Sequence, residues 1–109
     1  MVKQGTIIKI NFNPSKGHEQ SGYRLAVVIS NDEFNKISSL AILLPIISKD
    51  KNYPLDIPLD NRTSTQGVIL CAHIKAMDLS ERHYKEVEML PKDLLEKVIN
   101  YVNAEIEIL

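Results

Sequence analysis

Within nine positions of this chain lie Lys16, His18, Glu19, Gln20 and Arg24, side chains that bind anions and move protons. A guanidinium is planar, permanently charged, and presents paired donors that match phosphate oxygens. Arg24 sits where a polar loop enters a buried strand, so its base is rigid while its tip can face a groove. It can equally snorkel over the sheet edge or pair with Glu19. Imidazole as a residue type changes charge near neutral pH, which makes His18 a candidate for general acid–base work. Glu19 can hold the guanidinium, accept a proton, or stand in solvent. Gln20 can hydrogen-bond a base edge or fix its loop. Lys16, Lys49 and Lys51 can neutralise phosphates, and each also reads as a plain surface lysine. Tyr23 and Tyr53 can stack on bases or pack on the rim of the sheet.

Other chemistries find little support. His18, His73, His83 and Cys71 lack metal-ligand spacing. Cys71 falls in apolar company mid-strand and reads as core rather than nucleophile. No phosphate-binding loop or dinucleotide fingerprint occurs. No metal or cofactor is therefore expected.

The elements that must position these residues form one domain of 109 residues, a size that buries roughly two thirds of its unfolded surface. Hydrophobic residues make up 44% and charged residues 25%, ordinary for a globular protein. A lone cysteine allows no internal disulfide and fits a reducing compartment. The first residues carry no secretory leader and no run approaches a membrane span, so the expectation is a cytoplasmic protein. The net charge of −1 conceals an asymmetry: residues 1–53 hold seven basic and four acidic side chains, and residues 54–109 hold six and ten. A half at +3 can offer a positive groove to a polyanion; chance clustering on a solvated surface is the plainer reading.

Thr6 to Phe12 reads as a strand with Ile8, Ile10 and Phe12 on one face. Residues 13–22 are dense in turn formers and read as a long loop, a length that is often functional. Arg24 to Ser30 reads as a strand buried on both faces, and 31–36 as a turn or one helical turn. Leu40 to Ile47 is a third strand, where Pro45 suggests an edge or a bulge. Leu55 to Leu59 is a fourth, Gly67 to Met77 a fifth, and Lys85 to Leu90 a sixth. Leu94, Val98, Val102 and Ile106 then recur every four residues beside Leu95 and Ile99, one apolar stripe on a helix starting near Pro91. Proline suits a first helical turn, and Asp93 complements the helix dipole. The fold class expected is mainly β with a C-terminal helix (α+β): a small antiparallel barrel with the helix packed against it.

Gly5, Ile7, Ile10, Phe12, Pro14, Gly17, Glu19, Gln20, Gly22 and Arg24 spell G-x-I-x-x-I-x-F-x-P-x-x-G-x-E-Q-x-G-x-R. Pro45-x-x-Ser48-Lys49-x-Lys51-x-Tyr53-Pro54, Gly67-Val68-x-Leu70 and the helix after Pro91 follow in order. In these features the whole chain resembles MazF/PemK-type toxins of toxin–antitoxin systems. The resemblance implies an SH3-like barrel of the CcdB/PemK kind, a homodimer, and metal-independent, sequence-specific cleavage of single-stranded RNA that stops growth. It also implies a cognate antitoxin whose disordered tail covers the RNA groove. RNA can be cut without a metal because its 2′-OH attacks the neighbouring phosphate. The site must take the 2′-OH proton, stabilise a crowded phosphorane and protonate the leaving 5′-oxygen. The family gives the phosphorane to the arginine at position 24. Histidine is not a family requirement at position 18, so RNA contact is the reading for His18. RNA contact is also the reading for Lys16, Gln20, Lys49, Lys51, Tyr53 and His73, with Glu19 a catalytic candidate.

Three positions depart from the family pattern. Leu25 replaces the proline common after the arginine. Ile47 stands where the family usually has a threonine that assists the arginine. Ser48 can supply the hydroxyl only if the strand ends or bulges there, because neighbouring strand residues face opposite ways. Ala72, beside His73, occupies a place where an acid or its amide often sits. Loss of one preorganised donor typically costs ~10²–10³ in rate. A second hypothesis is therefore a weakened or disarmed homologue that binds RNA or antitoxin without cutting. A third is a gyrase poison, which shares the fold class and acts through its C-terminal helix; the Glu19-Gln20-x-Gly22-x-Arg24 loop favours the ribonuclease.

Overall fold

β-branched Thr6, Ile7, Ile8 and Ile10 favour the first strand, and its two faces explain the rest of the molecule. A computed structural model describes residues 1–13 and 22–109. Strand β1 (Thr6–Asn11) pairs antiparallel with β2 (Tyr23–Val28) on one side and with β7 (Tyr84–Met89) on the other. Helix α1 (Asp32–Ser38) then leads into β3 (Leu40–Ile47). Strands β4 (Asp56–Pro58), β5 (Val68–Leu70) and β6 (Lys75–Asp78) follow, with a 3₁₀ turn, Leu79–Glu81, before β7. The strand order is β4-β5-β3-β2-β1-β7, with β6 also paired to β3. The chain closes with helix α2 (Lys92–Ile106).

One apolar cluster takes Ile7, Val27, Ile29, Leu44, Ile46 and Ile69 from one face of the sheet, and α2 covers it with Leu94 and Val98. A second takes Ile8, Ile10, Phe12, Ala26, Val28 and Leu43 from the other face, with Met77 and Leu79. Ile8, Ile10 and Phe12 thus share a face as the alternation requires. The α2 stripe packs at Leu94 and Val98, with Leu95, Ile99 and Val102 partly buried. Ile106 falls past the sheet and stays exposed. Asp93 is held at the helix start by the two terminal nitrogens of Arg62, which donate to it at 2.7 and 3.0 Å.

Four sequence expectations change. The run 67–77 is two strands, not one. Backbone from Cys71 to Ile74 leaves the ladder in a turn, and the His73 N–H donates to the Leu70 carbonyl at 3.1 Å. Cys71 therefore lies in a turn rather than mid-strand, yet is fully buried in the helix-covered core. Pro45 marks neither an edge nor a bulge: β3 is an interior strand. On its outer side β6 pairs with Leu40 to Leu43 and β5 with Ile46 and Ile47. The ladder changes partner at Leu44 and Pro45, so a residue without an N–H fits there. The irregular register falls instead between Ile7 and Ile8, opposite β7. Lastly, 32–38 is a complete short helix, because the Asn31 side chain caps it by accepting the Phe34 N–H at 2.8 Å. Pro91 is the cap residue of α2 and Lys92 its first turn.

Candidate active site

Arg24 is the second residue of β2, opposite Ile10 of β1, and its side chain is exposed. The β2–β3 register runs from Val28 opposite Leu43 to Leu25 opposite Ile46, so one further step sets Arg24 beside Ile47. Strand β3 ends at Ile47, and Ser48 is an exposed residue in a bend. The alternation that would turn Ser48 away from Arg24 therefore no longer binds it. The two line one cleft of about 370 Å³ together with Lys49 and Lys51. Leu25, Ile46 and Ile47 are its apolar lining.

Two further polar residues of this cleft, Lys9 and Gln66, were missed by the sequence reading. Lys9 carried a signal: it follows Ile7 by two positions on the same face of β1, so a charge takes the place of an apolar residue there. Gln66 carried none beyond its place before Gly67. Among the described residues the lining thus holds four cations, Lys9, Arg24, Lys49 and Lys51, and no carboxylate. Asp50 lies between two of them in sequence, but its Oδ1 accepts the Asn52 N–H at 2.7 Å. No described residue gives the Arg24 side chain a hydrogen bond or an ion pair.

Gly67 holds the end of β3 where it is. Its φ is +125°, and a β-carbon there would overlap the Ile47 carbonyl. Only glycine lets this backbone pass so close to the strand end that precedes Ser48. The 48–55 segment bends through left-handed residues Asn52 and Leu55, and the Tyr53 N–H donates to Asp56 Oδ2 at 3.1 Å. Burial, the neighbouring Asp50 carboxyl and its charge push Asp56 up from the ordinary carboxylate range, against the Tyr53 N–H.

The remaining sequence candidates divide in two. The Tyr53 and His73 rings meet in a tilted contact, 4.8 Å between centroids, outside the cleft lining. Tyr53 packs on the small cluster of Ile47, Val68 and Leu70, so the pair adjoins the cleft through Ile47. Lys16, His18, Glu19 and Gln20 lie outside the described residues. The described backbone on either side of them is hydrogen-bonded together. Phe12 N–H donates to the Gly22 carbonyl at 2.8 Å and Gly22 N–H to Asn13 Oδ1 at 2.9 Å. Arg82 Nη1 donates to the Asn11 and Asn13 carbonyls at 2.8 and 2.7 Å.

The departures also have places. Leu25 packs against the helix-covered core. Ile47 is buried in its small cluster, and Ala72 is exposed in the turn after β5. Burial first, then the charges of Glu105 and Asp56, push the Cys71 thiol up to about 12, which makes it a poor nucleophile. Among the described residues no cluster of histidine, cysteine or acid could hold a metal ion, and no helix is long and apolar enough to cross a membrane.

A cleft whose described lining carries four cations, no carboxylate and the Ser48 hydroxyl beside Arg24 suits a phosphodiester. Comparison with known proteins points the same way. A family model of PemK-like, MazF-like toxins of type II toxin–antitoxin systems matches residues 3–105. Endoribonuclease PemK of Escherichia coli is 26% identical over 107 residues, covering 94% of this chain and 80% of that protein. MazF from Deinococcus radiodurans superposes with a TM-score of 0.90 at 29% identity, over 98% of this chain and 97% of that one. A chain of the MazE-MazF complex from the same organism gives 0.82 at 27% identity, over 95% and 94%.

Proposed function

The chain belongs to the PemK-like, MazF-like toxin family of type II toxin–antitoxin systems and is an endoribonuclease toxin of that family, and from this premise we propose that it cuts single-stranded RNA, without a metal, in the cleft between β2 and the end of β3. The observation that carries this reading is that Arg24 and Ser48 line one cleft whose described residues include three lysines and no carboxylate. The lysines seat the backbone phosphates. The Arg24 guanidinium faces the phosphate that becomes pentacoordinate when the 2′-OH attacks, and its paired donors stabilise the charge that develops there. Ser48 supplies the assisting hydroxyl that Ile47 lacks. Glu19 is the candidate base for the 2′-OH proton. His18, Gln20, Lys16, Tyr53 and His73 are candidate contacts for the RNA on either side.

The same reading extends to architecture and partners. The whole chain is one toxin domain, and its sheet curls into an SH3-like barrel. Supporting this, a single cluster gathers residues from β1, β2, β3, β6 and the turn before β7. Two chains pair to form the RNA groove, and a cognate antitoxin segment occupies that groove, as the MazE-MazF complex of a relative suggests. The working compartment is the cytoplasm, where the RNA is. Light scattering after size exclusion should give twice the chain mass; a monomer at micromolar concentration contradicts the dimer.

The test of activity is a long single-stranded RNA incubated with the protein in EDTA. Site-specific cuts should appear, and Arg24→Ala should slow them by roughly 10²–10³. Undiminished cutting by Arg24→Ala would overturn the assignment. One observation favours a second reading: Ile47 offers no hydroxyl and is buried among Val68, Leu70 and Tyr53. In that case the protein holds RNA and cuts it poorly, seen as a gel shift over intact RNA. Ile47→Thr separates the two. A large gain in rate means that Ser48 was not serving; no gain, with activity lost in Ser48→Ala, means that it was.

A further inference from the structure

A second hollow, of about 410 Å³, opens on the same face of the sheet and is lined by Lys9, Tyr23, His83, Tyr84 and Lys85. It shares Lys9 and Tyr23 with the cleft of Arg24, so the two adjoin. Strand register explains why. Lys85 of β7 faces Lys9 of β1, Lys9 faces Leu25 of β2, and Leu25 faces Ile46 of β3. This row crosses four strands, about 14 Å at the usual strand spacing. Helix α2 covers the other end of this face, over Ile7, Val27 and Leu44, and leaves this end open.

The row contains an unfavourable contact. Lys9 and Lys85 are directly opposed like charges, an arrangement that costs stability in an antiparallel pair. No described carboxylate forms an ion pair with either. Beside them Tyr23 is 62% exposed, a large ring facing solvent at the junction of the two hollows. Two cations with no ion pair among the described residues, next to an exposed aromatic ring, match the repeating unit of a single-stranded polynucleotide, one phosphate and one base. We infer that the Lys9–Lys85 pair and Tyr23 form a flanking subsite that holds a nucleotide of the RNA beyond the scissile phosphate. The phosphate bridges the two ammonium groups and the base stacks on Tyr23. The inference rests on the nuclease reading for the course of the strand, and its test is arranged to stand apart from it.

Lys85→Glu is the decisive variant. It places a carboxylate opposite Lys9, relieving the repulsion while removing the phosphate seat. Its Tm should rise by roughly 1–6 °C, and a long fluorescein-labelled single-stranded RNA should bind at least tenfold more weakly. With Lys85→Gln, the slope of log affinity against log salt should shrink by roughly 0.7, one phosphate on a single strand. Tyr23→Ala should weaken binding roughly 5- to 150-fold. In cleavage, Lys85→Gln should raise KM for the long RNA, keep kcat, and leave unchanged a short RNA that spans only the cut site. Equal losses on both lengths, an unchanged salt slope, or a change of oligomeric state in place of RNA affinity would each overturn the subsite. If the unaltered protein cuts no RNA at all, the nuclease reading fails, and the salt slope still decides the subsite.

Discussion

The two ends of one sheet face set the theme of this molecule. At one end Ile7, Val27 and Leu44 are sealed beneath Leu94 and Val98 of α2. At the other, two residues along the same strands, Lys9, Leu25 and Ile46 line an open cleft. The backbone is the same ladder throughout; only the cover differs. Under the helix, burial of apolar surface holds the fold together at about 25 cal/mol per Å². Beyond the helix, the same strands serve as a rigid mount for charges that carry little of the stability. Activity and stability thus draw on neighbouring residues of single strands, and substitutions should separate them.

The largest expected effect lies at the covered end. Leu44→Ala should cost about 2–5 kcal/mol, read as a fall in denaturation midpoint, while kcat of the folded fraction stays at its original value. A comparable fall in kcat would mean that the two ends are not independent. Gly67→Ala should come next, because it stands at the join. Forcing its backbone away from the Ile47 carbonyl should cost about 1–3 kcal/mol and should also slow cleavage by displacing Ser48. If stability falls and kcat does not, Ser48 has no part in the reaction.

Acid should sharpen the contrast by loosening a strap near the covered end. Glu88 accepts from the Ser64 and Thr65 N–H groups and the Thr65 hydroxyl at 3.1, 2.8 and 2.7 Å. Chiefly the Thr65 side chain, then its N–H, hold Glu88 below its ordinary range. Asp60 and Asp93 are likewise held low by Arg62. For a carboxylate lowered in the folded state, the stabilisation is complete above the unfolded value and lost as pH falls through the folded one. Asp56, held high, contributes with the opposite sign over its own range. Thermal stability should therefore fall on acidification below the ordinary carboxylate range, and Glu88→Gln should flatten that fall. Identical acid profiles for the two proteins would remove Glu88 from the account. The smallest effect belongs to Ile106, exposed beyond the sheet: Ile106→Ser should change stability by less than about 0.5 kcal/mol. A larger loss, dependent on protein concentration, would show that the end of α2 is covered by a second chain.

Much of this was legible in the residues. Alternation in Thr6–Phe12, the continuous apolar run after Arg24 and the four-residue repeat after Pro91 describe backbone states that local chemistry enforces, and each element is where its pattern lies. The break at Cys71–Ile74 was not legible, because an apolar run looks the same whether it continues a strand or turns within the core. Pro45 misled for a related reason: its missing N–H matters only through which neighbour lies beside it, and β3 changes neighbours there. In the site, Arg24 could be singled out by its residue type and its place at the mouth of a strand. Its grouping with Lys9 and Gln66 could not, since they come from β1 and from the residue before Gly67, far apart in the chain.

By itself the sequence determined which segments extend, which coils into a helix and where the phosphate-seeking charges are carried, because those depend on neighbours along the chain. Tertiary structure alone decided which of those charges meet. That choice rests on register between strands distant in sequence, on how far α2 reaches along the sheet, and on a glycine that lets one backbone pass against another. No local pattern encodes these distances.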